Sequence, residues 1–369
     1  MLTIQNLSFA MEGRPLLEDC SLTIPTGHKV GLVGRNGTGK TTLFRLIMGE
    51  LDADLGSTSV PRGARIGTVA QEAPASDMSL LDTVMEADTE LNALHLEAET
   101  ATDPNRIAEI QLRLADISAH TAEARASSIL SGLGFSPENQ RRPTREFSGG
   151  WRMRVALAAI LFSRPDLLLL DEPTNYLDLE GTIWLENYLA RYPHTVLLIS
   201  HDRDLLNRAV GHILHLRARK LVLYTGGYDT FDNARRAQAA LAEAGARKQE
   251  TERAHLQSFV DRFRYKASKA KQAQSRIKRL EKMEPITFAG ESQVQGFAFP
   301  DPDELAPPII RLDEAIAGYD GVPILRNLDL RIDPDDRIAL LGANGQVLKR
   351  GHELRQVLRV LERKLIRSV

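Results

Sequence analysis

A glycine-rich loop between an apolar strand and a helix is the feature that most constrains this chain. Residues 34–41 read Gly-Arg-Asn-Gly-Thr-Gly-Lys-Thr, after the apolar run 30–33 and before the helix-like stretch 42–48. This pattern, in this strand–loop–helix context, predicts a loop that wraps around nucleotide phosphates. Backbone N–H groups would hold phosphate oxygens, the lysine would face the β- and γ-phosphates, and the threonine after it would bind Mg²⁺. The predicted nucleotide-binding residues are Gly34, Asn36, Gly37, Thr38, Gly39, Lys40, Thr41 and Thr42, and Thr41 is also a predicted Mg²⁺ contact.

Charged residues follow two further apolar runs, which fit buried parallel strands. Asp171 and Glu172 come directly after residues 167–170, and His201 follows residues 195–200. Asp171 is placed to reach Mg²⁺ through water, and Glu172 to orient and polarise an attacking water. A neutral imidazole at His201 can hydrogen-bond a γ-phosphate and sense whether it is still attached. With the glycine-rich loop, these residues predict ATP as the ligand and Mg²⁺ as the metal.

Each of these signals also has a purely structural interpretation. Asp171 and Glu172 could cap a helix, because acidic residues are favoured at helix N-termini. The pair at 201–202 could be another N-cap, and Ser-Gly-Gly at 148–150 could be a simple turn. Five weak signals in one sequence order are much less probable by chance than any one of them. The combination therefore favours the nucleotide chemistry.

Composition sets the context of these motifs. With 369 residues, 43% of them hydrophobic and 26% charged, the chain has room for more than one packed domain. No apolar run is long enough to span a bilayer, and the N-terminal residues lack the pattern of a signal peptide. The single Cys20 can form neither an internal disulfide nor a metal cluster. We expect a soluble cytoplasmic protein without a membrane partner.

Three stretches of the sequence resemble the motifs of ATP-binding cassette proteins. Residues 147–151, Phe-Ser-Gly-Gly-Trp, resemble the cassette signature, and residues 171–178, Asp-Glu-Pro-Thr-Asn-Tyr-Leu-Asp, resemble the second nucleotide motif with its D-loop. Residues 200–203, Ser-His-Asp-Arg, resemble the switch-histidine segment. The forms at 173–178 and 200–203 are similar to the ABC-F branch, whose members carry two cassettes on one chain and no membrane domain.

This resemblance implies an α/β fold: a P-loop NTPase ATP-binding cassette with an N-terminal antiparallel β subdomain, a helical signature subdomain and a helical interdomain hairpin. It also implies an ATPase, with catalytic roles for Glu172 and His201. By the same resemblance Gln71 contacts Mg²⁺ and water, and Phe9 stacks on adenine. Tyr176 departs from the pattern, because the family usually has His there, and this bears on communication between sites. The implied signature residues are Ser148, Gly149 and Gly150.

The implied domain organisation has four parts. The predicted boundaries are 1–230 for the first cassette, 231–298 for a basic helical linker, 299–345 for the start of a second cassette, and 346–369 for a tail unlike the family. Helical spacing between about 85 and 132, broken at Asp103-Pro104, predicts two antiparallel helices. We assign about 86–128 of this region to the helical subdomain and an "arm" insertion.

Basic residues cluster in the predicted linker. From His255 to Lys282 there are nine Lys or Arg against Asp261 and Glu281, with aromatic residues between them. Such a segment suits RNA phosphates and bases, although a solvated coiled-coil hairpin is an equal interpretation of composition alone. The resemblance favours RNA, since the ABC-F linker reaches toward transfer RNA on the ribosome, and it implies ribosome, rRNA and tRNA as partners. The predicted RNA contacts are Arg262, Arg264, Lys266, Lys269 and Lys271.

The last part of the chain repeats the first. Residues 15–37 align without a gap to residues 323–345, but the positions that answer Gly39, Lys40 and Thr41 are Val347, Leu348 and Lys349. We therefore expect an incomplete second domain, explained most simply by a frameshift or gene fragment, and impaired activity. Because each ATP in this family lies between the phosphate loop of one cassette and the signature of another, two chains could pair head to tail through their first cassettes.

Three functional hypotheses follow. The first is an ABC-F ATPase that acts on ribosomes, favoured by the repeated cassette start and the basic linker. The second is the ATPase subunit of a transporter, which would need a membrane partner. The third is a nucleic-acid-binding protein that uses ATP as a switch with little turnover.

Overall fold

The computed structural model describes residues 1–69, 72–263, 275–280, 307–319 and 322–338. By its contacts the chain divides into two compact units. The first unit contains residues 1–228 and the residues from 304 onward. The second contains residues 229–303.

The centre of the first unit is a six-stranded sheet of order β5-β6-β7-β3-β8-β9. Its strands are β3 (Lys29–Val33), β5 (Ile66–Thr68), β6 (Leu167–Asp171), β7 (Thr195–Ile199), β8 (His212–Arg217) and β9 (Lys220–Thr225). All neighbours are parallel except β8 and β9. β6 and β7 are the continuous apolar runs expected for parallel strands that are covered on both faces. Their carboxyl ends therefore meet at one edge, where Asp171 and Glu172 lie.

A smaller antiparallel sheet supplies the N-terminal β subdomain. It contains β1 (Leu2–Met11), β2 (Arg14–Ile24) and β4 (Leu55–Ser59), in the order β2-β1-β4. One face is apolar and joins a continuous core with the central sheet and helix α1 (Lys40–Met48). The residues of that face are Leu2, Ile4, Leu7, Leu17, Cys20 and Ile24, each at most 2% exposed.

Helices fill the interval between β5 and β6. They are α2 (Leu80–Glu86), α3 (Thr89–Thr100), α4 (Pro104–Asp116), α5 (Ala122–Gly132), α6 (Pro137–Gln140) and α7 (Gly149–Ser163). Short 3₁₀ turns cover Ala119–Thr121 and Thr144–Glu146. α8 (Leu179–Ala190) and α9 (Arg203–Arg208) then follow β6 and β7.

The prediction of two helices between about 85 and 132 was wrong, because a third helix, α5, follows α4. Ser118 adopts a left-handed backbone, with φ 54°, and ends the helical run before α5 begins. The predicted break at Asp103-Pro104 is confirmed, and Asp103 caps α4. α3 and α4 are antiparallel, since ion pairs join Glu97 to Arg106 and Glu90 to Arg113.

The internal repeat is confirmed in the backbone. β10 (Ile310–Tyr319) and β11 (Val322–Ile332) form an antiparallel hairpin with the strand register of β1 and β2. Leu2 pairs with Ile24 as Ile310 pairs with Ile332, and both hairpins shift register at corresponding places. Burial differs: Leu17 is 1% exposed, whereas its counterpart Leu325 is 39% exposed.

The second unit is described only in part. α10 (Tyr228–Phe263) continues from the first unit into it, and residues 275–280 are again helical. Arg279 forms an ion pair with Glu252 of α10 at 2.5 Å. Of the predicted RNA contacts, Arg264, Lys266, Lys269 and Lys271 lie outside the described residues, as does the side chain of Arg262. The predicted tail unlike the family, residues 346–369, also lies outside them. Among the described residues, no helix is long and apolar enough to cross a membrane.

Candidate functional site

The glycine-rich loop between β3 and α1 is shaped by two left-handed glycines and one close approach. Gly37 and Gly39 have φ of 74° and 102°, a region that side chains with a Cβ rarely adopt. A Cβ at Gly34 would lie 2.8 Å from the carbonyl oxygen of Leu216, so this position also requires glycine. Open space surrounds Gly37 on the side where a Cβ would point. The loop therefore keeps a bare backbone at the N-terminus of α1, which suits an anion.

Lys40 folds back over this loop. Its Nζ donates hydrogen bonds to the carbonyl oxygens of Gly34 at 2.8 Å and Arg35 at 3.3 Å. Burial lowers the pKa of Lys40, and the charges of Glu172 and Asp171 act in the opposite direction. The ammonium group thus lies in the field of both carboxylates and beside the phosphate-loop backbone.

Thr41 and Asp171 bring two distant motifs into contact. The Thr41 hydroxyl, in the first turn of α1, donates a hydrogen bond of 2.7 Å to Oδ2 of Asp171, the last residue of β6. A hydroxyl and a carboxylate are hard oxygen ligands of the kind that Mg²⁺ prefers, usually with water and substrate phosphates as its other ligands. The described residues contain no cluster of three or more metal-binding side chains, so a metal at this position would need such outside ligands.

Glu172 lies beside Asp171 with its backbone in the left-handed region, at φ 48°. Its N–H donates to the carbonyl oxygen of Ile199 at 2.9 Å, which joins the residue to the end of β7. Oε2 accepts the backbone N–H of His201 at 3.3 Å. Oε1 is buried without a hydrogen-bond partner among the described residues and lies 3.5 Å from His201 Nε2. A buried acceptor without a partner fits a site that a water or ligand donor would complete.

The signature residues lie at the start of α7. Ser148 is the N-cap residue, but its hydroxyl makes no capping hydrogen bond. A Cβ at Gly149 would meet Oε1 of Glu72 at 3.0 Å, and one at Gly150 would meet Cδ1 of Tyr176 at 4.0 Å. Within the described residues, no hydrogen bond connects Ser148, Gly149 or Gly150 to Lys40 or Thr41. The structure thus brings together Lys40, Thr41, Asp171, Glu172 and His201, and places the signature beside other loops.

The remaining predicted residues fall into three groups. Asn36 is exposed on the loop, Thr38 donates from Oγ1 to the carbonyl oxygen of Arg35 at 2.8 Å, and Thr42 is half-buried in α1. Phe9 lies in β1 opposite Leu17, partly buried against the core. Gln71 lies outside the described residues.

Two arginines that the sequence reasoning missed connect α7 to the loops around the site. Arg152 forms an ion pair with Glu72 at 2.5 Å and donates to the carbonyl oxygen of Phe147 at 2.9 Å. Arg154 is 1% exposed and contacts the turn after Glu172. The only sequence signal for them is an Arg-x-Arg pattern directly after the signature, which is also typical of a solvated helix.

Comparisons with known proteins agree with this geometry. A family model described as ABC transporter matches residues 17–175, and a second model of the same description matches residues 214–297. The probable ATP-binding protein YheS of Escherichia coli K12 is 44% identical over 348 residues, which are 94% of this chain and 55% of YheS. ABC transporter F family member 3 of Arabidopsis thaliana is 42% identical over 370 residues, 93% of this chain and 51% of that protein. Human ATP-binding cassette sub-family F member 3 is 40% identical over 93% of this chain and 49% of its own length.

The chain thus spans about half the length of the curated relatives it matches. Among solved structures, the ATP-binding subunit of an ABC transporter is similar at 19% identity and a TM-score of 0.46, covering 61% of this chain and 90% of that one.

A glycine-rich loop before α1, an acidic pair at the end of β6 and the Ser-Gly-Gly segment at the start of α7 are the arrangement of an ATP-binding cassette with a P-loop NTPase fold. The relatives narrow the class further. The chain belongs to the ABC-F family of ATP-binding cassette proteins.

Proposed function

We propose that this chain binds ATP with Mg²⁺ and hydrolyses it at the edge where β3, β6 and β7 end. The contact between Thr41 and Asp171, at 2.7 Å, is the observation that carries the proposal, because it joins the phosphate loop to the acidic pair. Oε1 of Glu172, next in sequence to Asp171, is buried and accepts no hydrogen bond among the described residues, which supports a position for the attacking water.

Each residue has a separate role in this proposal. Backbone N–H groups of the loop and the Lys40 ammonium hold the β- and γ-phosphates, and Thr41 and Asp171 hold Mg²⁺ directly or through water. The metal neutralises charge on the phosphates when it is bound. Glu172 orients the water and accepts its proton, and His201, whose side chain is 63% exposed, contacts the γ-phosphate.

We also propose that the site is completed by the signature of a second cassette. Ser148 has a hydroxyl not used for capping, and the signature residues make no hydrogen bond to the described phosphate loop of their own cassette. The repeated loop near residue 345 has Val347, Leu348 and Lys349 in place of the phosphate-binding glycine, lysine and threonine. A head-to-tail pair of first cassettes would supply the missing donors to each site.

This pairing leads to a prediction about turnover. Phosphate release per chain should rise with protein concentration, because only paired chains have complete sites. The measurement is phosphate release over a dilution series, with mass determined by light scattering at each concentration. Brisk turnover that is independent of concentration in a monomeric preparation would contradict the pairing. Little turnover at every concentration, despite tight ATP binding, would favour the ATP-switched binding protein instead.

We propose the ribosome as the target of this ATPase, through the basic segment of the linker. Support comes from the nine Lys or Arg between residues 255 and 282, and from membership of the ABC-F family. Phosphate release with and without ribosomes tests this part of the proposal. Stimulation by ribosomes is expected, and its absence would contradict the ribosomal target while leaving ATP hydrolysis intact.

Reversing the charge of the five predicted RNA contacts should weaken binding to ribosomes and flatten its salt dependence. Each lost phosphate contact removes the release of condensed counterions and should reduce the log–log salt slope by about 0.7–0.9. Association is measured by co-sedimentation from low to high salt. The variant reverses Arg262, Arg264, Lys266, Lys269 and Lys271.

A matched control reverses five exposed arginines of the first cassette, which changes the net charge equally. They are Arg14, Arg62, Arg141, Arg191 and Arg217. If both variants keep the parent's affinity and salt slope, the linker is only a structural hairpin. If both lose affinity equally, the effect is one of net charge rather than of the linker.

A further inference from the structure

Arg154, in the first half of α7, is the most deeply buried charged side chain among the described residues, at 1% exposure. Its Nε donates to the carbonyl oxygen of Tyr176 at 2.7 Å, and Nη1 donates to that of Leu133 at 2.9 Å. Both Nη1 and Nη2 lie 3.5 Å from Oδ2 of Asp178. The guanidinium also stacks over the ring of Trp151, with its carbon 4.4 Å from the ring centroid. Arg154 therefore connects α7 to Leu133, directly after α5, and to the segment that contains Tyr176 and Asp178.

Two of these partners belong to the turn that follows the catalytic candidates. A 3₁₀ helix, Pro173–Tyr176, comes directly after Glu172, and Asp178 then caps α8 by accepting the N–H of Gly181 at 2.9 Å. Because one oxygen of Asp178 caps α8 and the other faces Arg154, the carboxylate is held from both sides. Arg154 thus contacts both Tyr176 and Asp178, downstream of Glu172.

The surrounding chain makes room for the guanidinium. Gly134 has φ +94°, and a Cβ there would lie 2.9 Å from Nη1 of Arg154. Burial lowers the pKa of Arg154 and the charge of Asp178 opposes that shift, but arginine keeps its charge in proteins. A buried charge weakens a protein unless its partners are well placed, so a simple packing role would be met better by an apolar side chain.

We propose that Arg154 is a positioning residue for ATP hydrolysis, which fixes the turn after Glu172 to the helix that begins at the signature. This inference rests on the proposed function. It adds a route by which the signature segment influences the catalytic carboxylate: a shift of α7 moves Arg154, and Arg154 moves the turn that leads back to Glu172. Lysine has the same charge but cannot reach the carbonyl of Tyr176, the carbonyl of Leu133 and Asp178 together.

The test compares Arg154→Lys with Arg125→Lys. Arg125 is a matched control, because it is another largely buried arginine, with a side chain 16% exposed. It lies over the ring of Phe162 and has a carboxylate partner at 4.0 Å in Asp88. Arg154→Lys should lower kcat roughly 10- to 100-fold, as expected for a misplaced catalytic group, while the Kd for ATP changes little. Arg125→Lys should keep the parent's kcat, even where both variants lose similar thermal stability.

A second readout does not require turnover. The N–H groups of Asn175 and Leu177 donate to the carbonyl oxygens of Glu172 at 3.2 Å and Thr174 at 3.0 Å. Hydrogen exchange at these two amides should be faster in Arg154→Lys than in the parent or in Arg125→Lys. If the parent hydrolyses no ATP, the proposed function fails, and this exchange experiment still decides the positioning role.

Asp178→Asn provides a milder variant if Arg154→Lys does not fold. Asparagine still caps α8 but loses the charge that faces Arg154. Asp178→Asn should lower kcat less than Arg154→Lys does, leave the Kd for ATP nearly unchanged, and speed hydrogen exchange at the Asn175 amide. The proposal is overturned if the Arg154 variant, or Asp178→Asn in its place, retains both kcat and amide protection. It is also overturned if Arg125→Lys reproduces the same losses, because Arg154 is then only a structural residue.

Discussion

Replacing Lys40 with alanine should weaken ATP binding roughly 30- to 150-fold. The ammonium group lies against the phosphate-loop backbone, at 2.8 Å from the carbonyl oxygen of Gly34. Hydrogen bonds to charged groups contribute about 1.5–3 kcal/mol, and the upper part of that range applies to a phosphate pair. Titration with a fluorescent ATP analogue in the presence of Mg²⁺ measures the loss.

Lys29→Ala is the matched control for this experiment. Lys29 is the first residue of β3, at the end of the strand away from the phosphate loop. Its Nζ also donates to a backbone carbonyl, that of Gly27, at 2.9 Å. Nucleotide affinity should remain at the parent's value in Lys29→Ala. Unchanged ATP affinity in Lys40→Ala would mean that the phosphate loop is not part of the ATP-binding site.

Glu172→Gln should bind ATP normally but lose nearly all turnover, falling roughly 100- to 10,000-fold. Glutamine has nearly the same shape and still accepts the N–H of His201, yet it cannot take a proton from water. Because no hydrogen bond in the described part of the chain joins Glu172 to Lys40 or Thr41, ATP affinity should be retained. Single-turnover phosphate release and an ATP titration on the same preparation separate the two effects.

Glu186→Gln controls for the loss of a buried carboxylate. Glu186 is 4% exposed on α8 and forms an ion pair with Arg208 at 3.2 Å, away from the phosphate loop. It should lose thermal stability while its folded fraction keeps the parent's turnover. Equal turnover in Glu172→Gln and the parent would assign the role of general base to another group.

The sequence was enough to predict β3, β6 and β7 because their apolar runs are local signals. The apolar run at 167–170 predicted β6, and parallel strands end at a common edge, so Asp171 was expected near the phosphate loop. The contact between Thr41 and Asp171 agrees with that expectation. The shared register of the two hairpins agrees with the gapless repeat of residues 15–37 at residues 323–345.

Other features could not be predicted because they depend on residues far apart in the sequence. Ser118 was expected to continue a helical region, since its left-handed backbone has no glycine or proline to signal it. Arg154 was missed, because arginine is rarely buried and nothing in the local sequence signals its burial. Its partners, at Leu133, Tyr176 and Asp178, come from two other segments that only the fold brings together.

The matching registers of the two hairpins indicate that each hairpin can form early in folding. Asn6 and Asp19 have left-handed backbones, and so do Glu314 and Asn327 at the corresponding places in β10 and β11. The first hairpin packs on a large core, whereas Leu325 and Ile316 of the second are exposed, yet the pairing is the same. Local sequence therefore fixes these irregularities, and core packing does not impose them. Hairpins of this kind close in roughly microseconds, so each can nucleate independently, before the distant parallel strands find one another.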